Sequence, residues 1–182
     1  MGGPVNGADN ARVYGAASSR PVAVLPSVIV PRTIRQEIES TLRACGSQRW
    51  ECVVYLAAPL QEPSAVAGTP RQIVGFFHPE HGNAPHYYAV PRTAVSAMST
   101  ALFEKRWQIV AQIHTHPGDA FHSGRDDGGP MVHVPGFVSV VVPSFCKEGL
   151  AGLPGCYVTV YEGGGDWREL TCDEVLTTFQ VG

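Results

Sequence analysis

The sequence lacks the features that mark several classes of protein. Its 182 residues carry a formal net charge of −3 without any run of Lys and Arg, so it shows no electrostatic footprint for nucleic acid. No apolar stretch reaches the roughly 18 residues that a membrane-spanning helix needs. The first residues have no basic start followed by an apolar block, which argues against a secretory signal. We therefore expect a cytoplasmic protein that binds neither nucleic acid nor membranes.

Cysteine is present but lacks the usual patterns of structural cysteine. The count of five is odd, and no C-x-x-C pair occurs, which argues against a disulfide framework and against a cysteine zinc ribbon. We expect reduced, buried thiols in a cytoplasmic protein. The cysteines are Cys45, Cys52, Cys146, Cys156 and Cys172.

The chain divides simply into a tail and one domain. Residues 1–20 are rich in Gly, Ala, Ser and Asn, a composition that predicts a disordered tail. Residues 21–182 are long enough for one domain with a real core and too short for two, given the hydrophobic content of 44%.

Hydrophobic periodicity predicts a mixed α/β structure. A helical stripe at Ile34, Ile38, Leu42 and Cys45 predicts a first helix, opened by a Thr33/Gln36 capping box and closed at Gly46. "TAVSAMSTALFEKRW" predicts a second helix, and Thr171 with Glu174 a capping box before a last short one. Predicted strands are "ECVVYLAA", "QIVGFFHP", "HYYAVP", "QIVAQIH" and "FVSVVVPSF", followed by a hairpin turning at residues 163–166. Because strands and helices alternate irregularly, we predict a mixed β-sheet flanked by helices.

The stretch "IHTHPGDAFHSGRDD" concentrates side chains that bind metals. It holds three histidines, three aspartates and a serine within residues 113–127. Positions i and i+2 of a strand share a face, so His114 and His116 project side by side at the end of a strand. Asp126 or Asp127 can fold back as a third ligand. Two imidazoles and a carboxylate leave a fourth position open, the composition of a catalytic zinc site.

This stretch resembles the signature of the JAB/MPN (JAMM) metalloprotease family, an H-x-H pair usually followed by Pro and then S-x-x-D. The matching residues are His114, His116, Pro117, Ser123 and Asp126. The family also has a glutamate on an upstream strand, and "ECVVYLAA" offers Glu51, with Val54 and Ala58 in place of the family's glycines. The resemblance covers roughly residues 30–145 and implies a single MPN/JAB-type domain.

The resemblance implies an activity and a role for each of these residues. One zinc ion per chain would be held by His114, His116 and Asp126, polarising a carbonyl and activating water. Glu51 would take the proton of that water and deliver it to the leaving amine. Ser123 would donate a hydrogen bond to the developing oxyanion. The reaction implied is hydrolysis of the amide at the C-terminus of a ubiquitin-like protein.

The likeness is greatest to bacterial members that accompany E1-like and E2-like proteins in ubiquitin-like conjugation operons, several of them antiviral defence systems. Two other functions stay open at this point. One is a catalytically silent MPN scaffold that only binds partners, against which the full set of site residues argues. The other is a JAB-type hydrolase of another substrate, such as a small molecule or a cell-wall peptide.

Four further histidines have plainer interpretations. "HPEHG", with His78, Glu80 and His81, lacks the spacing of zinc proteases and is predicted to be a polar turn. His122 and His133 flank the site and could line a substrate groove, but we expect solvated loop histidines.

Two neighbouring aspartates, Asp126 and Asp127, are candidates for the third zinc ligand. The family usually places one residue more between its second histidine and its aspartate than separates His116 from Asp126, a spacing that Asp127 would match. The S-x-x-D spacing favours Asp126, which lies one helical turn after Ser123 if a helix begins there.

If Asp126 is the ligand, Asp126→Ala should lose zinc and activity together. Asp127→Ala should keep its zinc and lose about 10- to 100-fold in metal affinity or activity. Loss of zinc in Asp127→Ala alone, by elemental analysis, would reverse the assignment.

Overall fold

The computed structural model describes residues 25–61, 68–84, 87–121 and 132–182. The predicted tail at 1–20 lies outside them, as do Ser123, Asp126, Asp127 and His122. The elements in chain order are β1 (Val28–Val30), α1 (Arg32–Ser47), β2 (Val53–Pro59), β3 (Arg71–Gln72), β4 (Gly75–Phe77), β5 (Gly82–Ala84), β6 (Tyr87–Ala89), α2 (Arg92–Lys105), β7 (Trp107–Thr115), β8 (Val138–Val142), a 3-10 turn (Ser144–Cys146), β9 (Tyr157–Gly163), β10 (Asp166–Glu169), α3 (Cys172–Thr178) and β11 (Phe179–Val181).

A six-stranded mixed sheet organises the fold. Its strand order is β10-β9-β8-β7-β2-β4. The β7–β8 pair is parallel, and the other neighbours are antiparallel. Three short parallel strands, β11-β1-β3, form a second sheet, and β5 pairs with β6. The mixed sheet flanked by helices agrees with the α/β class predicted from the sequence.

The two faces of the central sheet bury different side chains. Val54, Leu56 and Ala58 of β2 belong to the main core, together with Ile38 and Leu42 of α1. The alternate residues Val53 and Tyr55 form a smaller cluster with Met98 of α2. Since successive strand residues point to opposite faces, α1 covers one face of β2 and α2 covers the other.

Helix α1 begins and ends differently from the prediction. It starts at Arg32 after the extended residue Pro31, without any side-chain cap, so the Thr33/Gln36 capping box is wrong. It also continues past Gly46 to Ser47. Gly46 serves packing instead, because a Cβ there would lie 2.5 Å from the Cβ of Phe145 in the 3-10 turn. Helix α1 can therefore pack this closely against the turn only because residue 46 is a glycine.

The C-terminal elements agree with those predicted from the sequence. The Thr171 hydroxyl accepts from the Glu174 amide while the Glu174 carboxylate accepts from the Thr171 amide, which confirms the capping box of α3. β9 and β10 form the predicted hairpin, which turns through Gly164 and Gly165, both at positive φ. Within the described residues, no helix is both long and apolar enough to cross a membrane.

Buried Glu39 ties α1 to the segment after β8. Its Oε1 accepts a hydrogen bond from the amide of Leu150 at 2.8 Å and another from Arg35 Nη1 at 2.9 Å. Removing this carboxylate leaves a buried N–H group without an acceptor.

Glu39→Ala should therefore lower the free energy of unfolding by about 1–3 kcal/mol, as measured by urea denaturation. Glu37→Ala, an exposed carboxylate on the same helix, should change it by less than about 0.5 kcal/mol. Equal effects of the two substitutions would show that the Leu150 contact contributes nothing.

Candidate metal centres

His114 and His116 lie at the end of strand β7 inside the sheet. His114 has no exposed surface and His116 is 6% exposed. Their ring centroids are 5.2 Å apart. β2 and β8 flank His114 through the register pairs with Val53 and Val141. The His116 amide donates to the Val142 carbonyl at 2.9 Å, and the His116 carbonyl accepts from the Phe145 amide at 2.9 Å. The backbone that carries the two adjacent imidazoles is thus paired or hydrogen-bonded on both sides.

Glu51 reaches the same end of the sheet from strand β2. Val53 pairs with His114, and the Thr115 amide donates to the Cys52 carbonyl at 3.0 Å, so the pairing continues beyond the strand. In an antiparallel pair this register sets Glu51 opposite His116, on the sheet face that His114 occupies. The Glu51 residue is 6% exposed. A buried carboxylate and two buried imidazoles therefore share one strand end.

Aromatic rings border this histidine pair on both sides. The Tyr88 ring lies 5.6 Å from that of His114, and the Phe121 ring packs edge-on against His116 at 4.8 Å. Phe121 is 55% exposed, so it forms the outer wall beside His116. His133, for which the sequence predicts a solvated position, is exposed, and its ring centroid lies 6.0 Å from that of Tyr161.

Three of the five predicted site residues are thus close together: Glu51, His114 and His116. Ser123 and Asp126 lie outside the described residues. The roles of all five residues, as ligands, base and oxyanion donor, stay predictions.

A second cluster of metal-binding side chains lies on the opposite face of β2. It consists of Cys45, Cys52, His78 and His81, whose ligand atoms all lie within 4.8 Å of one another. His78 Nε2 is 3.3 Å from Cys52 Sγ and 3.7 Å from Cys45 Sγ. We call these residues the Cys/His cluster.

The Cys/His cluster departs from what the sequence predicted for its parts. "HPEHG" is a loop between β4 and β5, but its histidines face two buried cysteines, so the polar turn was an incomplete interpretation. Three of the five cysteines are buried as expected; Cys156 is half-buried and Cys172 exposed. Sequence spacing gave no signal, because Cys45 lies on α1, Cys52 just before β2, and the histidines follow β4.

The two thiols of the cluster polarise each other. The Cys52 thiol and His78 lower the pKa of Cys45 because they stabilise its thiolate, against the opposing effect of burial. The pKa of Cys52 is raised by its hydrogen bond to Cys45 and by burial. The pKa of His81 is raised chiefly by the Cys45 thiol, with burial opposing and the Pro79 carbonyl assisting. Deprotonation is therefore favoured at Cys45 over Cys52.

A row of rings connects the two groups of histidines. The centroids of His78 and His81 are 5.0 Å apart, and the His81 ring lies 6.4 Å from that of Tyr88, which contacts His114. One tyrosine ring therefore separates the Cys/His cluster from the His114/His116 pair.

Comparison with known proteins gives a distant sequence relative and a structural neighbour. No protein-family model matches the chain. A protein of Sinorhizobium fredii named "Probable metalloprotease y4jG" is 27% identical over 123 residues, which are 67% of this chain and 74% of that protein. The solution structure of protein DSY2949 from Desulfitobacterium hafniense is similar with a TM-score of 0.61, over 85% of this chain and 92% of that one. At 11% identity, this likeness shows a shared fold alone.

Proposed function

We propose that this chain is a metal-dependent hydrolase, and specifically a zinc isopeptidase or peptidase of the JAB/MPN (JAMM) type. The observation that carries the proposal is the meeting of His114, His116 and Glu51 at one buried strand end. The name of the Sinorhizobium relative supports the coarser part, a metalloprotease. The H-x-H-P and S-x-x-D residues of the sequence support the finer part.

The donor set at His114 and His116 fits zinc. Imidazole nitrogens are among its preferred ligands, and catalytic zinc sites take three protein ligands and keep a fourth position open. Asp126 would complete such a set. When bound there, zinc supplies Lewis-acid activation of a carbonyl and of water at neutral pH.

The Cys/His cluster suits this catalytic role less well. It offers four protein ligands, the closed arrangement of structural zinc sites. It also lies across β2 from Glu51, so the carboxylate shares its face with the histidine pair and not with the thiols. We therefore place catalysis at His114 and His116.

The residues of the chain supply the proton transfers of amide hydrolysis. Glu51, a carboxylate at the strand end, takes a proton from the attacking water and passes it to the leaving amine as the C–N bond breaks. Ser123 donates a hydrogen bond to the oxygen on which negative charge develops. The products are a free carboxylate and a free amine, so no further reactant is needed.

The substrate proposed is the C-terminal amide of a ubiquitin-like protein, with E1-like and E2-like proteins as partners of the same system. This part rests on the resemblance of residues 114–126 to the bacterial members of the family. The edge-on Phe121 beside His116 supplies an exposed apolar surface against which an extended peptide can pack.

Incubation with linear ubiquitin-like fusions tests the proposal. A panel including ubiquitin itself would carry a reporter peptide after the last residue of each ubiquitin-like domain. We expect cleavage at that residue, loss of cleavage with a chelator, and recovery with added zinc. Binding without cleavage of any fusion by the metal-loaded protein would instead identify a scaffold.

Glu51→Gln should lower the cleavage rate by about 10²- to 10⁴-fold, the usual contribution of a general base. Its metal content should stay unchanged, because Glu51 is a proposed proton carrier and not a ligand. Glu80→Gln, which removes an exposed carboxylate on the loop after β4, should cleave at the normal rate. Near-normal turnover in Glu51→Gln would move the role of the base to Glu80 or Glu62.

A further inference from the structure

We infer that Cys45, Cys52, His78 and His81 form a second zinc site, structural rather than catalytic. The sequence predicts one zinc ion per chain, at His114 and His116, and the Cys/His cluster would hold another. The inference does not depend on the proposed hydrolase activity, since it rests on the geometry of these four side chains.

The spacing of the donor atoms agrees with tetrahedral zinc. Zn–S bonds of about 2.3 Å and Zn–N bonds of about 2.0–2.1 Å at tetrahedral angles set neighbouring ligand atoms about 3.3–3.8 Å apart. The two distances from His78 Nε2 to the cysteine sulfurs, 3.3 and 3.7 Å, lie within this range. The remaining separations do not exceed 4.8 Å, so small side-chain movements would complete the tetrahedron.

His81 carries the second sign of a metal ligand. Its Nδ1 lies 2.8 Å from the Pro79 carbonyl and donates its proton there. Its other nitrogen, Nε2, is buried and has no hydrogen-bond partner in the part of the chain that the structure describes. Histidines that bind metals usually donate their second N–H to a backbone carbonyl in this way, which leaves the first nitrogen as a ligand.

The cluster is open to metal from the solvent. A depression of about 450 Å³ lies over it, lined by Cys45, His78 and His81 together with Gln48 and Trp50. A zinc ion can therefore enter the folded protein. Once bound, it would join the end of helix α1 and the residues just before β2 to the loop between β4 and β5, which lies about 30 residues further along the chain.

Two thiols and two imidazoles favour zinc over harder metals. Thiolates are soft ligands that Mg²⁺ and Ca²⁺ do not select, and tetrahedral S₂N₂ sites are typical of zinc. The rival interpretation is a disulfide between Cys45 and Cys52. Both are free thiols in the structure, and His78 Nε2 lies within 3.7 Å of both sulfurs, a contact that a disulfide would not need.

The site has a consequence for Glu51 that rests on the proposed function. Cys52 follows Glu51 directly, and the two residues lie on opposite faces of the same strand start. A zinc ion that fixes Cys52 would therefore also fix the backbone from which the proposed base projects. The zinc ion on one face of the sheet would thus position Glu51, which takes part in catalysis on the opposite face.

Cobalt substitution of the full-length protein tests the site directly. Co²⁺ bound by thiolates absorbs in the near ultraviolet through sulfur-to-metal charge transfer, whereas Co²⁺ bound by imidazoles and carboxylates does not. We expect this absorption in the wild-type protein and in His114→Ala/His116→Ala, and its loss in Cys45→Ser/Cys52→Ser. Zinc measured by elemental analysis should fall from two to one per chain in either double variant.

The matched control is Cys146→Ser/Cys156→Ser, which changes two further cysteines, one of them buried, outside the cluster and should keep both the absorption and two zinc ions. Should the Cys45→Ser/Cys52→Ser protein fail to fold, the wild-type cobalt spectrum decides. Absence of charge-transfer absorption in the cobalt-loaded wild type, or its persistence in Cys45→Ser/Cys52→Ser, would overturn the inference. Charge-transfer absorption without cleavage of any fusion would leave the site standing and refute the proposed cleavage of ubiquitin-like substrates.

Discussion

The antiparallel pairing of β2 with β7 is the constraint on which both metal-binding groups depend. It sets Val53 opposite His114, and Glu51 lies two residues before Val53, on the same face of the sheet. A shift of one residue in this register would move every β2 side chain to the other face. Glu51 would then join the α1 core, and Cys52 would turn toward the histidines of β7. The buried apolar residues on both faces, Val53 with Met98 and Val54 with Leu42, hold the register in place.

Much of this architecture follows from patterns within short stretches of sequence. The helical stripe from Ile34 to Cys45, the capping box of α3 and the glycine turn between β9 and β10 are all local, and the structure contains each of them. The pairing of His114 and His116 on one strand face is also local, since it needs only the two-residue period of a strand. The start of α1 at Arg32 is a boundary, the kind of feature that tertiary context decides, and the Thr33/Gln36 capping box missed it.

What the sequence could not reveal is contact between distant segments. Cys45 and His78 are brought together because α1 packs on the face of the sheet that carries Cys52, while β4 pairs with β2 at the sheet edge. Neither the packing of α1 nor the pairing of β4 with β2 can be predicted from the spacing of these residues in the sequence. Gly46 similarly looked like a helix terminator, whereas its role is set by Phe145, a residue of a distant turn. Spacing rules find ligands that share one hairpin or helix, and these four ligands do not.

The parallel pairing of β7 with β8 determines where the chain can change in length. Parallel neighbours require a crossover connection of at least a dozen residues, and here it begins directly after Thr115 and ends before Val138. Both ends are anchored in the sheet, and each doubling of the length of a flexible connection costs only about 0.6 kcal/mol in closure entropy. Insertions and deletions between these ends should therefore change the free energy of folding only slightly. Such changes leave the strands that carry His114 and Val53 as they are, and those that spare Ser123 and Asp126 keep the proposed site residues that this connection contains.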